Sequence, residues 1–481
     1  MARTAIWWVR RDLRLGDNAA LAYALEHAES VVPLVVPATD AHCITRAAAC
    51  AWQSRSLVAL DAALRRRGSR LVVARGPIDA AIALLAHSTG ATLAVCSRDP
   101  APDAQAEEDA VRRALSALGV SLVTRGGQLL VAPDSIASAS GEPFRVFTPF
   151  FRRWERSWEP EQTVPAPSSI PAPAEWPASE HLPQIAGVSD GAPPQLDAAW
   201  APGEAGGLER LDAFVRDGLA SYDADRDRPD VEGTSRLSPH LAFGELSTMQ
   251  VAVAALSAVG PETARPFLRQ LAWREFAYHV LLNFPDLATR SWRPEFDAMP
   301  WRDDEVAFDS WSHGRTGYPL VDAGMRELAA NGWMHNRVRL VTGSFLAKDL
   351  LIPWQRGEAH FGDRLVDLDP ASNAFNWQWV AGSGADASPY FRIFNPWLQG
   401  VKFDPDGTYV RTWVPELSGL PSRWIHTPWA APAEELARAG VVLGETYPHP
   451  IVDHAESRQR ALAAFEAVRA ERIDARAARL D

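Results

Sequence analysis

Cysteine is scarce in this sequence of 481 residues, which has Cys43, Cys50 and Cys96 and no C-x-x-C pair among them. That pattern indicates neither a disulfide framework nor a zinc site. Long apolar runs are missing too: no stretch of about 18 apolar residues occurs, and no charged segment followed by an apolar one opens the chain. We therefore expect a cytoplasmic protein that does not associate with membranes.

Positive charge is in deficit, with 48 Lys and Arg residues against 60 Asp and Glu residues and a formal net charge of −12. Such a deficit weakens the case for a nucleic-acid partner. It does not exclude one, because phosphate binding depends on a local basic patch rather than on the total charge.

The sequence is long and rich in tryptophan. A chain of 481 residues is longer than one ordinary domain, so two domains are expected. Hydrophobic residues make up 47% and charged residues 22%, as in globular proteins. Of the 19 tryptophans, most follow residue 150. Most of these side chains should fill cores, and a few should take part in chemistry.

The first part of the chain alternates short apolar runs with helical patterns. The predicted strands are 5–9, 31–36, 70–76, 91–96 and 121–126, and the predicted helices lie near 18–28, 47–67, 77–88 and 104–118. Strands alternating with helices predict an α/β domain with a parallel five-stranded, doubly wound sheet. No G-x-G-x-x-G follows the first strand, so a dinucleotide fingerprint is absent. The turn there is Arg10-Arg11-Asp12-Leu13-Arg14, either a plain charged loop or a functional one.

The second part of the chain favours helices only. Residues 160–206 are rich in Pro, Ala and Ser, as in a long connection between domains. Helical patterns then follow, at 208–222, 247–259 and 266–284. We therefore predict an α/β domain at 1–131, a connection at 132–206 and an all-α domain at 207–481.

One stretch, 332–379, mixes apolar and polar residues in an unusual way. Its apolar positions recur at helical spacing: Val338, Val341, Phe345, Leu346 and Leu350. Among them stand the polar residues His335, Asn336, Arg337, Arg339 and Asp349. Burying polar groups costs free energy unless each finds a partner. With the Asp367-x-Asp369 pair and the aromatic run that follow, the stretch is typical of the wall of a buried cofactor site.

Five motifs carry a resemblance to a known family. They are WWVRRDLRLGDN at 7–18, TGYPLVDAGMREL at 316–328, GWMHNRVR at 332–339, NWQWVAGSGADASPYFRIFNP at 376–396 and PIVDHAESRQRALAAFEAVR at 450–469. In this order they resemble the photolyase/cryptochrome flavoproteins, most closely the bacterial class I photolyases of cyclobutane pyrimidine dimers (CPDs). The resemblance implies an all-α FAD-binding domain, FAD as cofactor, UV-damaged DNA as partner and light-driven repair by electron transfer. We expect a monomer.

The resemblance also implies which residues hold FAD. Residues Thr234, Ser235, Arg236, Leu237 and Ser238 match the loop that binds the pyrophosphate, although taken alone Ser and Thr before Pro239 favour a plain helix cap. Further matched contacts are Tyr222, Arg274, Asn336, Arg339, Asp367, Asp369 and Asn373. Among these, Arg339 and Asp367 match an ion pair over the flavin ring. Asn373 matches an amide beside flavin N5 that can accept or donate a hydrogen bond.

The remaining matched residues concern electrons and DNA. Trp301, Trp354 and Trp377 match a relay that carries an electron from the surface to oxidised FAD. Trp273 and Trp379 match two indoles that pack on the dimer, and Arg226 and Arg337 match contacts to the flanking phosphates. Flipping a base step out of the duplex is cheapest where the step is already distorted, which suits an aromatic pocket.

Two departures from the family pattern leave alternatives open. Class I CPD enzymes have Glu where this chain has Gln270, a residue seen there in many (6-4) photolyases and animal cryptochromes. The usual antenna residues are not found near 97–108, so a second, folate or flavin-type chromophore is uncertain. A cryptochrome-like photoreceptor and a (6-4) photolyase remain alternatives, as does a nucleotide-binding α/β protein. The two matched indoles, and the absence of a long tail beyond the last predicted helix, argue against the photoreceptor.

Overall fold

The computed structural model describes residues 3–37, 46–181, 192–386 and 391–477, and the side chains as far as residue 470. Cys43, part of the predicted connection and part of the motif at 376–396 lie outside the described residues. Among the described helices, none is both long enough and apolar enough to cross a membrane.

A parallel five-stranded sheet organises the N-terminal part, in the order β3-β2-β1-β4-β5. Its strands are β1 (Thr4–Trp8), β2 (Ser30–Val35), β3 (Val72–Val73), β4 (Leu93–Arg98) and β5 (Ser121–Gly127). Four helices accompany it: α1 (Ala19–His27), α2 (Ala47–Arg65), α3 (Ile78–Thr89) and α4 (Pro102–Ser116).

Both faces of this sheet are covered. Alternate residues of β1 point to opposite faces: Ala5 and Trp7 pack in one core with α1 and α2, and Ile6 and Trp8 pack in another with α3 and α4. This explains why β1 is apolar throughout rather than alternating. The predicted doubly wound α/β architecture is confirmed.

The regular secondary structure in the rest of the described chain is helical, apart from one isolated β-bridge between Leu443 and Tyr447. The α-helices are α5 (Phe147–Trp154), α6 (Leu196–Ala199), α7 (Glu204–Asp217), α8 (Tyr222–Asp225), α9 (Ser238–Ala242), α10 (Thr248–Asn283), α11 (Glu305–Ser312), α12 (Pro319–Asn331), α13 (Asn336–Ser344), α14 (Trp354–Arg364), α15 (Pro370–Ala381), α16 (Pro396–Phe403), α17 (Thr408–Trp413), α18 (Ser422–Ile425), α19 (Ala433–Ala439) and α20 (His454–Ala477). The predicted all-α C-terminal part is confirmed.

Helix boundaries follow local chemistry. Helix α10 begins at a capping box, in which the Ser247 hydroxyl accepts from the Gln250 N–H and the Gln250 side chain accepts from the Ser247 N–H. Gly260 interrupts this helix with a non-helical backbone, φ 74° and ψ 169°, which glycine adopts without steric penalty. A π-helical turn, Phe345–Asp349, continues from α13.

Arg11, from the turn after β1, joins the sheet to the helical part. Its guanidinium donates to the Tyr278 hydroxyl at 2.9 Å and to the Ala242 carbonyl at 2.9 Å, and it lies 3.4 Å from the Asp369 carboxylate. The charged turn is therefore not a solvated loop, because Arg11 fixes the sheet against the helices that form the candidate site.

Candidate functional site

A pocket in the helical part, called here the central pocket, is formed by α13, α14, α15 and the loop between the last two. It is lined by Asn336, Arg339, Leu340, Gly343, Phe361, Leu365, Asp367, Asp369, Ser372, Asn373, Asn376, Trp377 and Val380. Many of these residues belong to the stretch predicted as a cofactor wall. The structure thus brings Asn336, Arg339, Asp367, Asp369 and Asn373 together around one recess.

Arg339 and Asp367 form the predicted ion pair. The Arg339 guanidinium donates to Asp367 Oδ2 at 2.8 Å and, through Nε, to the Met334 carbonyl at 2.7 Å. Asp367 is buried, and its second oxygen, Oδ1, has no partner within the described chain. A buried carboxylate oxygen without a partner is costly. It is therefore a ready acceptor for an N–H group of a bound ligand.

Asp369 is buried and accepts more hydrogen bonds than Asp367 does. One oxygen caps α15 by accepting from the Ser372 N–H at 2.8 Å, and the other accepts from the Tyr278 hydroxyl at 2.9 Å. Burial alone would raise the pKa of this carboxyl, but Arg274, Arg11 and the two hydrogen bonds outweigh burial and lower it. Asp369 is thus held as a carboxylate at the edge of the pocket.

Arg274 and Asn373 each have a fixed protein partner. Arg274 lies 3.6 Å from Asp369 and donates to the Gln128 carbonyl at 2.9 Å. It therefore stands behind Asp369 rather than in the lining. Asn373 donates its amide N–H to Glu358 Oε1 at 2.8 Å and to the Glu358 carbonyl at 3.0 Å. Because Glu358 occupies the amide nitrogen, the Asn373 oxygen is the atom left for a ligand.

The loop Thr234–Ser238 is built around Arg236. The Arg236 guanidinium lies 4.4 Å from the ring centre of Trp200 and 5.1 Å from that of Trp333, and its Nε is buried without a partner in the described chain. Arg236 has a left-handed backbone, φ 52°. A cationic donor held in this way suits an anionic ligand group.

The alternative interpretation of that loop, a serine or threonine helix cap, is wrong. The cap residue of α9 is Leu237, and no side chain caps this helix. The Ser238 hydroxyl accepts instead from Trp333 Nε1 at 3.2 Å, and the Ser235 hydroxyl accepts from the Leu237 N–H at 3.4 Å within the turn. Tyr222 is buried against Phe214 and Phe267. Neither this loop nor Tyr222 belongs to the lining of the central pocket.

A flavin dinucleotide fits the groups present. Asp367 Oδ1 offers an acceptor for a ring N–H, the Asn373 oxygen offers a second, and Arg236 offers a donor for a phosphate. Acceptors in the central pocket and a cation in the separate loop Thr234–Ser238 match the two parts of a ligand that joins a heterocycle to a pyrophosphate.

Trp377 forms part of the pocket wall and contacts further aromatic rings. Its ring centre lies 5.0 Å from that of Phe361 and 6.2 Å from that of Trp311, both edge to face. Trp354 is fully buried in the same core, and the half-buried Trp301 packs against that core from outside. Trp311, whose Nε1 donates to the Thr342 carbonyl at 3.0 Å, had no assigned role in the sequence interpretation.

Replacing Gly357 by alanine should destabilise the protein, because a β-carbon there would lie 2.2 Å from Cη2 of Trp377 and 2.7 Å from Cδ2 of Leu346. Such overpacking costs about 1–3 kcal/mol. Gly362 is the matched control on the same helix, since a β-carbon there would have no atom of the described residues within 4 Å. Gly362→Ala should stabilise the protein by up to about 1 kcal/mol. Thermal unfolding of the two variants measures the difference, and equal melting temperatures would contradict it.

The half-buried indoles Trp273 and Trp379, called here the indole pair, are each held by another part of the chain. Trp273 stacks on Phe147 at 3.6 Å between ring centres and 7° between planes. Trp379 donates its Nε1–H to the Asp386 carbonyl at 3.1 Å. Near Trp273, Gln270 donates its amide to the Pro266 carbonyl at 3.2 Å. Trp273 also lies 6.1 Å from Phe375 of α15, the helix that carries Trp379.

Arg226 and Arg337, the predicted phosphate contacts, share one carboxylate. Arg337 donates to Asp227 Oδ2 at 2.6 Å, and Arg226 lies 3.8 Å from Asp227 Oδ1. The Arg337 guanidinium also lies 4.5 Å from the ring centre of Phe403. The structure brings the two cations together, with the carboxylate of Asp227 between them.

Several residues of the site went unrecognised in the sequence. Glu358 accepts a hydrogen bond from Asn373, and Gln128 accepts one from Arg274. Phe147 stacks on Trp273, and the Asp386 carbonyl accepts a hydrogen bond from Trp379. Phe147 and Gln128 lie far in sequence from the residues they contact, so spacing carries no signal for them. For Asp386 a weak signal existed, because it stands within the motif at 376–396 that carries the resemblance.

The chain is similar to known proteins along most of its length. Residues 5–171 match a family described as DNA photolyase, and residues 267–467 match the FAD binding domain of DNA photolyase. A deoxyribodipyrimidine photo-lyase of Agrobacterium fabrum is 47% identical over 96% of this chain and 98% of its own length. Cryptochrome-1 of Arabidopsis thaliana is 37% identical over 95% of this chain and 69% of its own length.

Solved structures extend the comparison. A bacterial class III photolyase from Agrobacterium tumefaciens superposes with a TM-score of 0.92 at 46% identity, over 98% of each chain. A cryptochrome from Synechocystis sp. PCC6803 gives a TM-score of 0.84 at 29% identity, over 96% of this chain and 99% of that one. The expected closest resemblance to class I enzymes is therefore not confirmed, because the highly similar Agrobacterium structure is of class III.

Proposed function

This chain belongs to the photolyase/cryptochrome family of FAD-binding proteins, with light-driven DNA repair as its function, and we propose that its substrate is the cyclobutane pyrimidine dimer, bound between Trp273 and Trp379. The single observation that carries this proposal concerns helix α15. Asn373 and Trp377 of that helix line the central pocket. The same helix carries Trp379, one member of the indole pair, and Phe375, which lies beside the other member, Trp273. One rigid element thus links a cofactor site to a half-buried aromatic site.

When bound and reduced, FAD supplies an electron on illumination and regains it after the dimer has split. The task of the chain is to bind and to orient. The half-buried Arg339 and the buried Asp367 present a charge pair to the ring system, and the Asn373 oxygen offers an uncharged acceptor. Thr234–Ser238 and Tyr222 are assigned to the phosphate-bearing half of the cofactor, with Arg274 supporting Asp369.

The indole pair supplies the surface for a flipped dimer. Every base has a π-face, and stacking on an aromatic side chain is worth about 1–3 kcal/mol per base. Arg226 and Arg337 are assigned to the phosphates that flank the dimer, so DNA affinity should fall as salt rises.

Illumination of the FAD-reduced protein with an oligonucleotide that contains one CPD tests the proposal. We expect restored thymines by product analysis and no product in the dark. An oligonucleotide with a (6-4) lesion is the parallel substrate. Conversion of the (6-4) lesion alone would overturn the substrate assignment, and conversion of neither lesion would favour a photoreceptor, as the cryptochrome relatives suggest.

Gln270→Glu should raise CPD affinity or repair yield. A carboxylate accepts charge-assisted bonds from the donor edge of a flipped base, a gain on the order of 1 kcal/mol over the neutral amide. The amide now donates to the Pro266 carbonyl, which a carboxylate cannot do. The new side chain must therefore turn away from that carbonyl, and this reduces the gain. Titration of CPD-containing and undamaged oligonucleotides against both proteins measures it, and weaker CPD binding by the variant would contradict the prediction.

A further inference from the structure

Asp386 has an unusual backbone conformation just after helix α15. Its φ of 53° lies in the left-handed region, which few non-glycine residues adopt. Aspartate tolerates this region better than most residues, yet the conformation still costs free energy. Such a conformation persists where surrounding contacts require it, and Asp386 makes two such contacts.

The first contact is made by the main chain. The Asp386 carbonyl accepts the Nε1–H of Trp379 at 3.1 Å. An indole has one hydrogen-bond donor, and here that donor is tied to the backbone seven residues further on. The left-handed turn thus limits how far the Trp379 ring can rotate.

The second contact is made by the side chain. Burial raises the pKa of the Asp386 carboxyl, while the backbone N–H of Phe147 and the guanidinium of Arg269 stabilise the carboxylate. Phe147 begins helix α5, and its ring stacks on Trp273 at 3.6 Å. Arg269 also lies over the Phe147 ring, 5.4 Å from its centre. Through Phe147 the carboxylate therefore acts on the second indole.

We infer that Asp386 is a positioning residue that fixes the separation of the indole pair, holding Trp379 through its main-chain carbonyl and Trp273 through Phe147. The inference rests on the proposed function, in which a dimer binds between these rings. The two indoles stand on different helices, α10 and α15, so a residue that contacts the support of both sets the width of the site. Aromatic binding sites require such support to keep productive geometry.

A positioning role predicts an effect on dimer binding rather than on the cofactor. Asp386→Gly removes the carboxylate, while glycine adopts the left-handed backbone without strain. We expect CPD-oligonucleotide binding to weaken by about five- to tenfold, as for the loss of one typical hydrogen bond. FAD content should not change. Repair per absorbed photon at saturating DNA should also be retained, so the loss appears in Kd and KM rather than in kcat.

Two further variants separate positioning from general damage. Asp386→Asn keeps an oxygen acceptor and a residue tolerant of the left-handed region, so it should bind CPD within about twofold of the parent. Phe147→Leu should weaken binding as Asp386→Gly does, and the double variant should be no worse than either single one. Phe150→Leu is the matched control. Phe150 lies on the same helix, 6.4 Å from the ring centre of Phe147, but its other ring contacts in the described chain are with Phe144, Phe276 and His279 rather than with Trp273.

The outcomes distinguish this inference from the proposed function. If the parent binds CPD-containing and undamaged DNA equally, the proposed function fails. If the parent discriminates and Trp273→Ala weakens binding, but Asp386→Gly and Phe147→Leu bind as the parent does, the positioning role is overturned. Should Asp386→Gly lose FAD, the binding of Phe147→Leu decides: fivefold weaker binding supports the role, and unchanged binding rejects it.

Discussion

Arg339→Leu should give a purified protein that is colourless, because it no longer retains FAD. Asp367 is buried, and the guanidinium of Arg339, 2.8 Å away, is the cation paired with it. Removing Arg339 leaves the buried Asp367 charge uncompensated, which costs about 3 kcal/mol where the charge stays buried. If the FAD-bound protein is destabilised by this amount relative to the free protein, FAD affinity drops by more than about 100-fold. The absorbance near 450 nm relative to that at 280 nm measures the bound fraction.

A matched variant separates cofactor loss from general instability. Arg326 forms an ion pair with Glu416 at 2.8 Å and is exposed to a similar extent, but it lies outside the central pocket. Arg326→Leu should therefore keep its FAD while losing some thermal stability. Full FAD occupancy in Arg339→Leu, or equal FAD loss in the two variants, would show that Arg339 does not act through the pocket.

The sheet was predictable because its burial is regular. Residues such as Ile6 and Trp7 are apolar in succession, and a strand covered on both faces has no polar side to interrupt the run. Helices α1 to α4 were predictable because helical patterns alternate with the strand-like runs along the sequence. The capping of helix α9 by the loop Thr234–Ser238 was not predicted correctly. The hydroxyls of this loop form local turn and indole contacts that compete with capping, and sequence does not rank these alternatives.

The central pocket was predictable only in part. Asp367 lies 28 residues from Arg339, and no helical or strand spacing connects residues that far apart. This ion pair was therefore expected from the family resemblance alone. Contacts that form only when the two halves of the chain pack together could not be predicted from the sequence. Arg11 with Asp369 and Arg274 with Gln128 are examples, because each joins the sheet region to the helices. Their geometry exists only after the two parts have packed.

Trp377→Phe should abolish or greatly slow photoreduction of oxidised FAD and leave repair by chemically reduced enzyme largely intact. Trp377 lines the central pocket and shares a core with Trp354, against which Trp301 packs from the surface side. Repair draws its electron from FAD that is already reduced, so it does not need this relay. Phenylalanine keeps an aromatic ring beside Phe361 but is much harder to oxidise than an indole.

Trp311→Phe is the matched control for that experiment, because Trp311 contacts Trp377 edge to face but has no assigned place in the relay. Its photoreduction rate should stay near that of the parent protein. Blue-light bleaching of the oxidised flavin band with an external reductant gives the rate for each variant, and dithionite-reduced samples give the repair yield. Unchanged bleaching in Trp377→Phe would assign the electron to another donor. A loss confined to Trp311→Phe would identify that donor, since the two indoles lie in contact at the pocket wall.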